Sequence, residues 1–321
     1  MRSLNYEKLK LWVNREMWVD NFHEHVEGAY KASKTFLSSR VDLETKLEDG
    51  LWAFHGLGQL IPQTIEKFGS GHYFPYSEGF YNLQSSLELA MCGLYSQAFV
   101  GLRSVLELST MCIYFDMNDE SQVTVKPWIQ SEIRTPPFRM MIKALLQAEY
   151  YQKFNEVFGL EEELQDFYDE LGGFVHIRGY KSSSSGLSKA NLVVFQPKIL
   201  EKFAKRLVKT VRLSSLLMLL KYPIGIVPLP ITEKFGFNGP VGGFLEQIDT
   251  DHIFAVLENR EGEFLRNLAK NDKQVQGIVR YFDELPDISE EEFRRQADEF
   301  DRFMEEHKHE PKKHDDTTSI P

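Results

Sequence analysis

The chain has 321 residues, with 37 Lys+Arg against 48 Asp+Glu and a formal net charge of -11. Its 42% hydrophobic and 13% aromatic content excludes a disordered chain, and two cysteines, Cys92 and Cys112, exclude a disulfide scaffold and fit a reducing compartment. The acidic total argues against nucleic-acid binding, and the length is enough for about two domains with a substantial core.

Apolar spacing predicts helices along most of the chain. Residues 5–35 carry Leu9, Trp12, Trp18, Val19, Phe22, Val26 and Tyr30 at helical intervals. A second helix is expected from Asp42 to Phe68, with Leu43, Leu47, Leu51, Phe54 and Leu57 on its apolar face and a kink at Pro62; Gly69-Ser70-Gly71 breaks the chain after it. A third spans 77–94 through Leu83, Leu87, Ala90 and Leu94, and a fourth spans 96–116 through Phe99, Leu102, Leu106, Ser109 and Ile113. Residues 117–137 read as a loop, followed by helices over 138–156 and 161–176. Ser182 to Gly186 reads as a flexible loop, and a seventh helix covers 197–221, ended by Pro223, Pro228 and Pro230. Ile253 to Leu257 fits either a strand or a helical turn. Helices are expected near 261–270 and 273–284, and from Ser289, a suitable cap, to His307. The expected divisions are an N-terminal helix (1–40), a bundle (41–222), a helical C-terminal region (223–309) and a disordered tail (310–321).

No phosphate-binding glycine loop, nucleophile elbow or C-x-x-C occurs. The single Glu-x-x-His, Glu306 to His309, falls in the tail and argues against a di-metal bundle. His23 and His25, two apart, point to different helix faces and read as surface residues, so neither a metal nor a cofactor is expected. Both cysteines sit in apolar helical patterns and are expected in the core. The first residues carry no apolar leader region, and Lys221 and Pro223 interrupt the most apolar run, Leu213–Leu220. The expectation is a soluble, cytoplasmic chain without a membrane span.

Between Phe80 and Phe115 only Glu88, Arg103 and Glu107 are charged. Arg103 and Glu107, four apart, share a helix face, and an antiparallel hairpin brings Glu88 close. The three form either an internal ion-pair network or a polar site facing a cleft. His176, after Gly172-Gly173-Phe174-Val175 at a helix end, has the chemistry for proton transfer but is equally suited to a structural role.

The run Leu102-Arg103-Ser104-Val105-Leu106-Glu107-Leu108 and the later Phe174-Val175-His176 resemble the HEPN-like helical domains of bacterial toxin–antitoxin and phage-defence proteins, over about residues 41–221. The resemblance implies an all-α bundle, dimerisation and, in active members, metal-independent RNA cleavage with Arg103, Glu107 and His176 as the catalytic candidates. Active members carry Arg, four to six residues, then His on one helix, a spacing absent from the bundle here. It recurs only at Arg302 with His307 and His309, where about one such pair is expected by chance. Catalysis would then require Arg103 and His176 to meet from different helices.

Charge is unevenly distributed: residues 178–222 hold ten Lys/Arg and one acid, a net of +9, while 283–321 carry -8. Lys198, Lys202, Lys205, Lys209 and Arg212 fall on one face of the seventh helix, flanked by Arg206, with Ile199, Phe203, Leu207 and Val211 on another face. Such a stripe is a footprint for RNA or another polyanion, or simply a solvated face, and the acidic tail could fold back onto it. Two functions follow: an RNA-directed, ribonuclease-type toxin or defence component, or a non-enzymatic interaction subunit that forms a homodimer or joins a larger complex. A small-molecule or nucleotide-binding bundle is disfavoured by the lack of a phosphate loop.

Overall fold

The longest apolar patterns become the longest helices. The computed structural model describes residues 20–61, 73–118, 124–189, 193–239 and 242–307; among them are fifteen α-helices, three short 3-10 turns and no strand, so the chain is all-α. Helices α1 (Asp20–Ser38), α2 (Val41–Leu60), α3 (Tyr73–Met91) and α4 (Tyr95–Asn118) come first. The α3–α4 turn uses Gly93 at φ +79°, where a Cβ would sit 2.7 Å from the Val194 carbonyl oxygen, so only glycine fits. All five residues of the α4 stripe, from Phe99 to Ile113, are buried.

After the short α5 (Val125–Ile129), inside a stretch expected to be loop, two helices replace the single one expected over 138–156: α6 (Phe138–Leu145) and α7 (Glu149–Phe158). Phe138, Met141, Ile142 and Leu145 are buried from α6, and Tyr151 and Phe154 from α7. On a continuous helix Tyr151 would point about 120° away from Leu145 and Phe154 about 180° away. The break at 146–148 lets both faces reach the core. Helix α8 (Leu160–Val175) follows, and the serine run is an ordered turn rather than a flexible loop. The Ser183 hydroxyl there accepts a hydrogen bond from the Gly186 N–H (3.1 Å) to start α9 (Ser184–Leu187), whose Leu187 is buried.

Helix α10 (Pro197–Lys221) has the expected bounds, with proline in its first turn. It packs against α4 and α2, and Leu213–Leu220 is buried without interruption because this half of the helix runs through the centre of the bundle. The Ser214 hydroxyl donates to that of Ser109 on α4 (3.0 Å), and Tyr151 donates to the Leu217 carbonyl (2.6 Å). The C-terminal region contains α11 (Ile231–Phe235), α12 (Gln247–Val256), α13 (Asn259–Asn271), α14 (Lys273–Glu284) and α15 (Glu290–His307). Helix α12 resolves the strand-or-helix alternative near 253–257 and lies along α2. One hydrophobic cluster runs from Leu37 to Phe282 and joins the C-terminal helices to the bundle. The α4 segment Tyr95–Met117 is long and apolar enough to cross a membrane, and 61% of its most apolar 18-residue stretch is buried inside the fold.

The expected pattern before residue 20, the Pro62 kink, the 69–71 break and the tail from 310 lie outside the described residues.

Candidate functional site

The α3–α4 hairpin carries Glu88 on one helix and Arg103 and Glu107 on the other. Among the described residues none of the three belongs to a salt bridge. Arg103 instead reaches α8: its guanidinium lies 4.3 Å from the Tyr168 ring centroid, and Nη2 donates to the Tyr168 hydroxyl at 2.7 Å. Phe138 of α6 stacks on the same ring, centroids 4.0 Å apart and planes 7° apart. The Arg103 Nε is buried without a partner. Burial raises the Tyr168 pKa above its ordinary value; the hydrogen bond from Arg103 opposes this and the nearby Glu107 carboxylate adds to it. In place of the ion-pair alternative there is an arginine–tyrosine–phenylalanine stack, and Glu88 is exposed.

His176 caps the C-terminus of α8, its N–H bonded to the Gly172 carbonyl (3.1 Å), and its side chain is exposed. The next residue, Ile177, sits at φ +47°, a strained backbone for a β-branched side chain. Arg103 is held at Tyr168, and eight residues of α8 separate Tyr168 from His176, about 12 Å along the axis. The structure does not bring Arg103 and His176 together. Arg302 is exposed on α15, and His309 lies outside the described residues.

The α10 stripe is real but not free. Lys205 pairs with Glu201 of its own helix (2.8 Å), Lys209 with Glu163 of α8 (2.9 Å) and flanking Arg206 with Glu170 of α8 (3.0 Å). Arg212, whose side chain is only 11% exposed, is held by Glu163 in a two-pronged contact, by Glu261 at 3.3 Å and by Glu258 at 3.6 Å. Lys202 lies over the Phe174 ring (5.2 Å) and the Phe99 ring (5.7 Å), and burial lowers its pKa, with Arg206 adding to the effect. Of the five, only Lys198 is both exposed and outside any ion pair or ring contact among the described residues. The acids that meet the stripe come from α8, α10 and the start of α13. None comes from described residues after Asp283, whose salt bridges are Lys234–Asp287 and two within α15.

Of the two cysteines, Cys112 is buried as expected, while Cys92 is half-buried, its thiol pKa raised by burial and by Glu88. His23 and His25 are both exposed on α1.

The sequence patterns did not single out a hollow of about 550 Å³ between α2 and α3, lined by Glu48, Leu51, Trp52, His55, Phe80, Gln84, Leu87 and Glu88. Beside it, His252 of α12 places Nδ1 3.0 Å from Asp49 Oδ1 and stacks on Trp52, centroids 6.2 Å and planes 21° apart. The available signal was the Glu48, Trp52 and His55 spacing of four and three on one helix, which places a polar–aromatic face beside an apolar one. Comparison with protein-family models, curated proteins and solved structures finds no match.

Proposed function

We propose that this chain is a non-enzymatic helical interaction subunit that self-associates through α15. The observation that carries this reading is the internal neutralisation of the α10 stripe. A polyanion would have to displace carboxylates of the chain itself; the exposed pairs yield easily, but the enclosed Arg212 does not. The separation of Arg103 from His176 supports the same reading, because charge stabilisation and proton transfer would act at different places.

Helix α15 supplies the surface. Its first half is anchored: buried Gln296 accepts from the Phe237 N–H (2.8 Å) and donates to the Phe235 carbonyl (3.2 Å), and Phe293 and Phe300 pack on the Phe237 ring at 5.0 and 6.1 Å. Phe237, Phe300 and Met304 remain at least half exposed, at 56%, 52% and 50%. The helix carries Glu290, Glu291, Glu292, Asp298, Glu299, Asp301, Glu305 and Glu306 against Arg294, Arg295 and Arg302, a net of -5. A second copy can cover the same apolar strip across a two-fold interface, with the acids left in the solvated rim, so self-association is expected to strengthen with added salt.

Light scattering across a concentration series is expected to show a dimer that Phe300→Ser with Met304→Ser converts to monomer, with circular dichroism unchanged. In parallel, the parent is expected neither to cleave RNA nor to bind it at near-physiological salt. A monomer at every concentration, or RNA cleavage lost in His176→Ala, would overturn the proposal.

A further inference from the structure

We propose that the hollow between α2 and α3 binds a small organic cation bearing an alkyl- or quaternary ammonium group. Its walls are aromatic and its charge is negative. Trp52 and His55 come from α2 and Phe80 from α3, with ring centroids 5.7 Å apart for Trp52–His55 and 5.7 Å for His55–Phe80. Glu48 and Glu88 stand at the rim, Gln84 adds a neutral hydrogen-bonding group, and among the described residues no lysine or arginine lines the space. The negative face of an aromatic ring attracts a cation, and the attraction grows as the site excludes water. A metal ion would gain little from ring faces, and an anion would meet two carboxylates.

Trp52 is the observation that points to a ligand. It is 55% exposed, yet it is held on two sides, stacked by His252 and met edge-on by His55 at 82°. His252 is in turn fixed by Asp49. A bare tryptophan braced by a second layer of contacts is preorganised for a partner rather than left over from packing. The volume of about 550 Å³ falls in the range of small-molecule pockets and is well below what a folded partner covers. The site lies away from α15, so it goes beyond the self-association reading and stands or falls separately from it.

The test is calorimetric titration of the full chain with choline and with its neutral isostere, in which a tert-butyl group replaces the trimethylammonium. Choline is expected to bind, the isostere to bind on the order of tenfold more weakly, and Trp52→Ala to weaken choline by a similar factor. Both acids are exposed, so Glu48→Gln with Glu88→Gln should fold normally and lose most of the preference for choline over the isostere. Equal affinity for the two probes, unchanged choline binding in Trp52→Ala with intact circular dichroism, or no choline binding up to about 10 mM would overturn the proposal.

Discussion

Glu261 is 2% exposed, and its carboxylate serves two partners: it accepts the Glu258 N–H at 2.9 Å, capping its own helix, and faces Arg212. Burial raises its pKa above the ordinary carboxylate value, against the pull of the Glu258 N–H and of Arg212. With the folded pKa raised, the stability linked to this group is fully present below the unfolded value, about 4.3, and is lost as pH rises through the folded value. Glu261→Gln stays neutral at every pH, keeps an acceptor for the Glu258 N–H and leaves Arg212 on Glu163. Its melting temperature is expected to match or exceed the parent's at neutral pH and to converge with it toward about pH 4. A variant whose deficit is largest at neutral pH would reverse the sign and refute the assignment. The same residue explains why the charge pattern was only half legible. The +9 segment was counted along the chain, but its neutralising acids Glu163, Glu170, Glu258 and Glu261 lie before and after it. The partner of Arg103 was less visible still, because Tyr168 is uncharged and 65 residues away.

At the scale of elements, close approach between helices decides which positions tolerate change. On α2, a Cβ at Gly58 would lie 2.5 Å from the Tyr76 ring, which is buried and donates its hydroxyl to the Phe54 and His55 carbonyls, each at 2.9 Å. The ring cannot swing away without breaking those bonds. Gly58→Ala is expected to destabilise by about 1–3 kcal/mol in chemical denaturation, although alanine favours a helix over glycine; a stabilised variant would show that propensity wins. Helices with one continuous apolar stripe were readable from periodicity, and α10 has the expected bounds for that reason. The α6–α7 break was not, since a change of face between Leu145 and Tyr151 shows only when both sides of the core are known. The α2–α3 hollow escaped for a related cause: each helix shows only its own half of the wall.

Over the whole molecule, Arg212 joins three parts of the fold: α10 in the bundle, α8 through Glu163, and the C-terminal helices through Glu258 and Glu261. Arg212→Met leaves Glu261 enclosed without its cation, an arrangement that costs about 3–5 kcal/mol in buried pairs. The loss is expected to be localised, with hydrogen exchange accelerating first in α13 and α14; uniform acceleration across α2, α4 and α10 would show that the arginine does not set the docking of that region. The single core from Leu37 to Phe282 was likewise invisible to a division by composition at the prolines after α10. Chain order adds a consequence in time. Glu163 precedes Arg212 by 49 residues, and Glu261 follows it by the same interval. During synthesis at roughly 5–20 residues per second, Glu261 is made about 2–10 s after Arg212. Of the carboxylates that hold Arg212 in the fold, Glu163 is the one already made when the arginine is added, so it is the counter-ion available to it before the final helices exist.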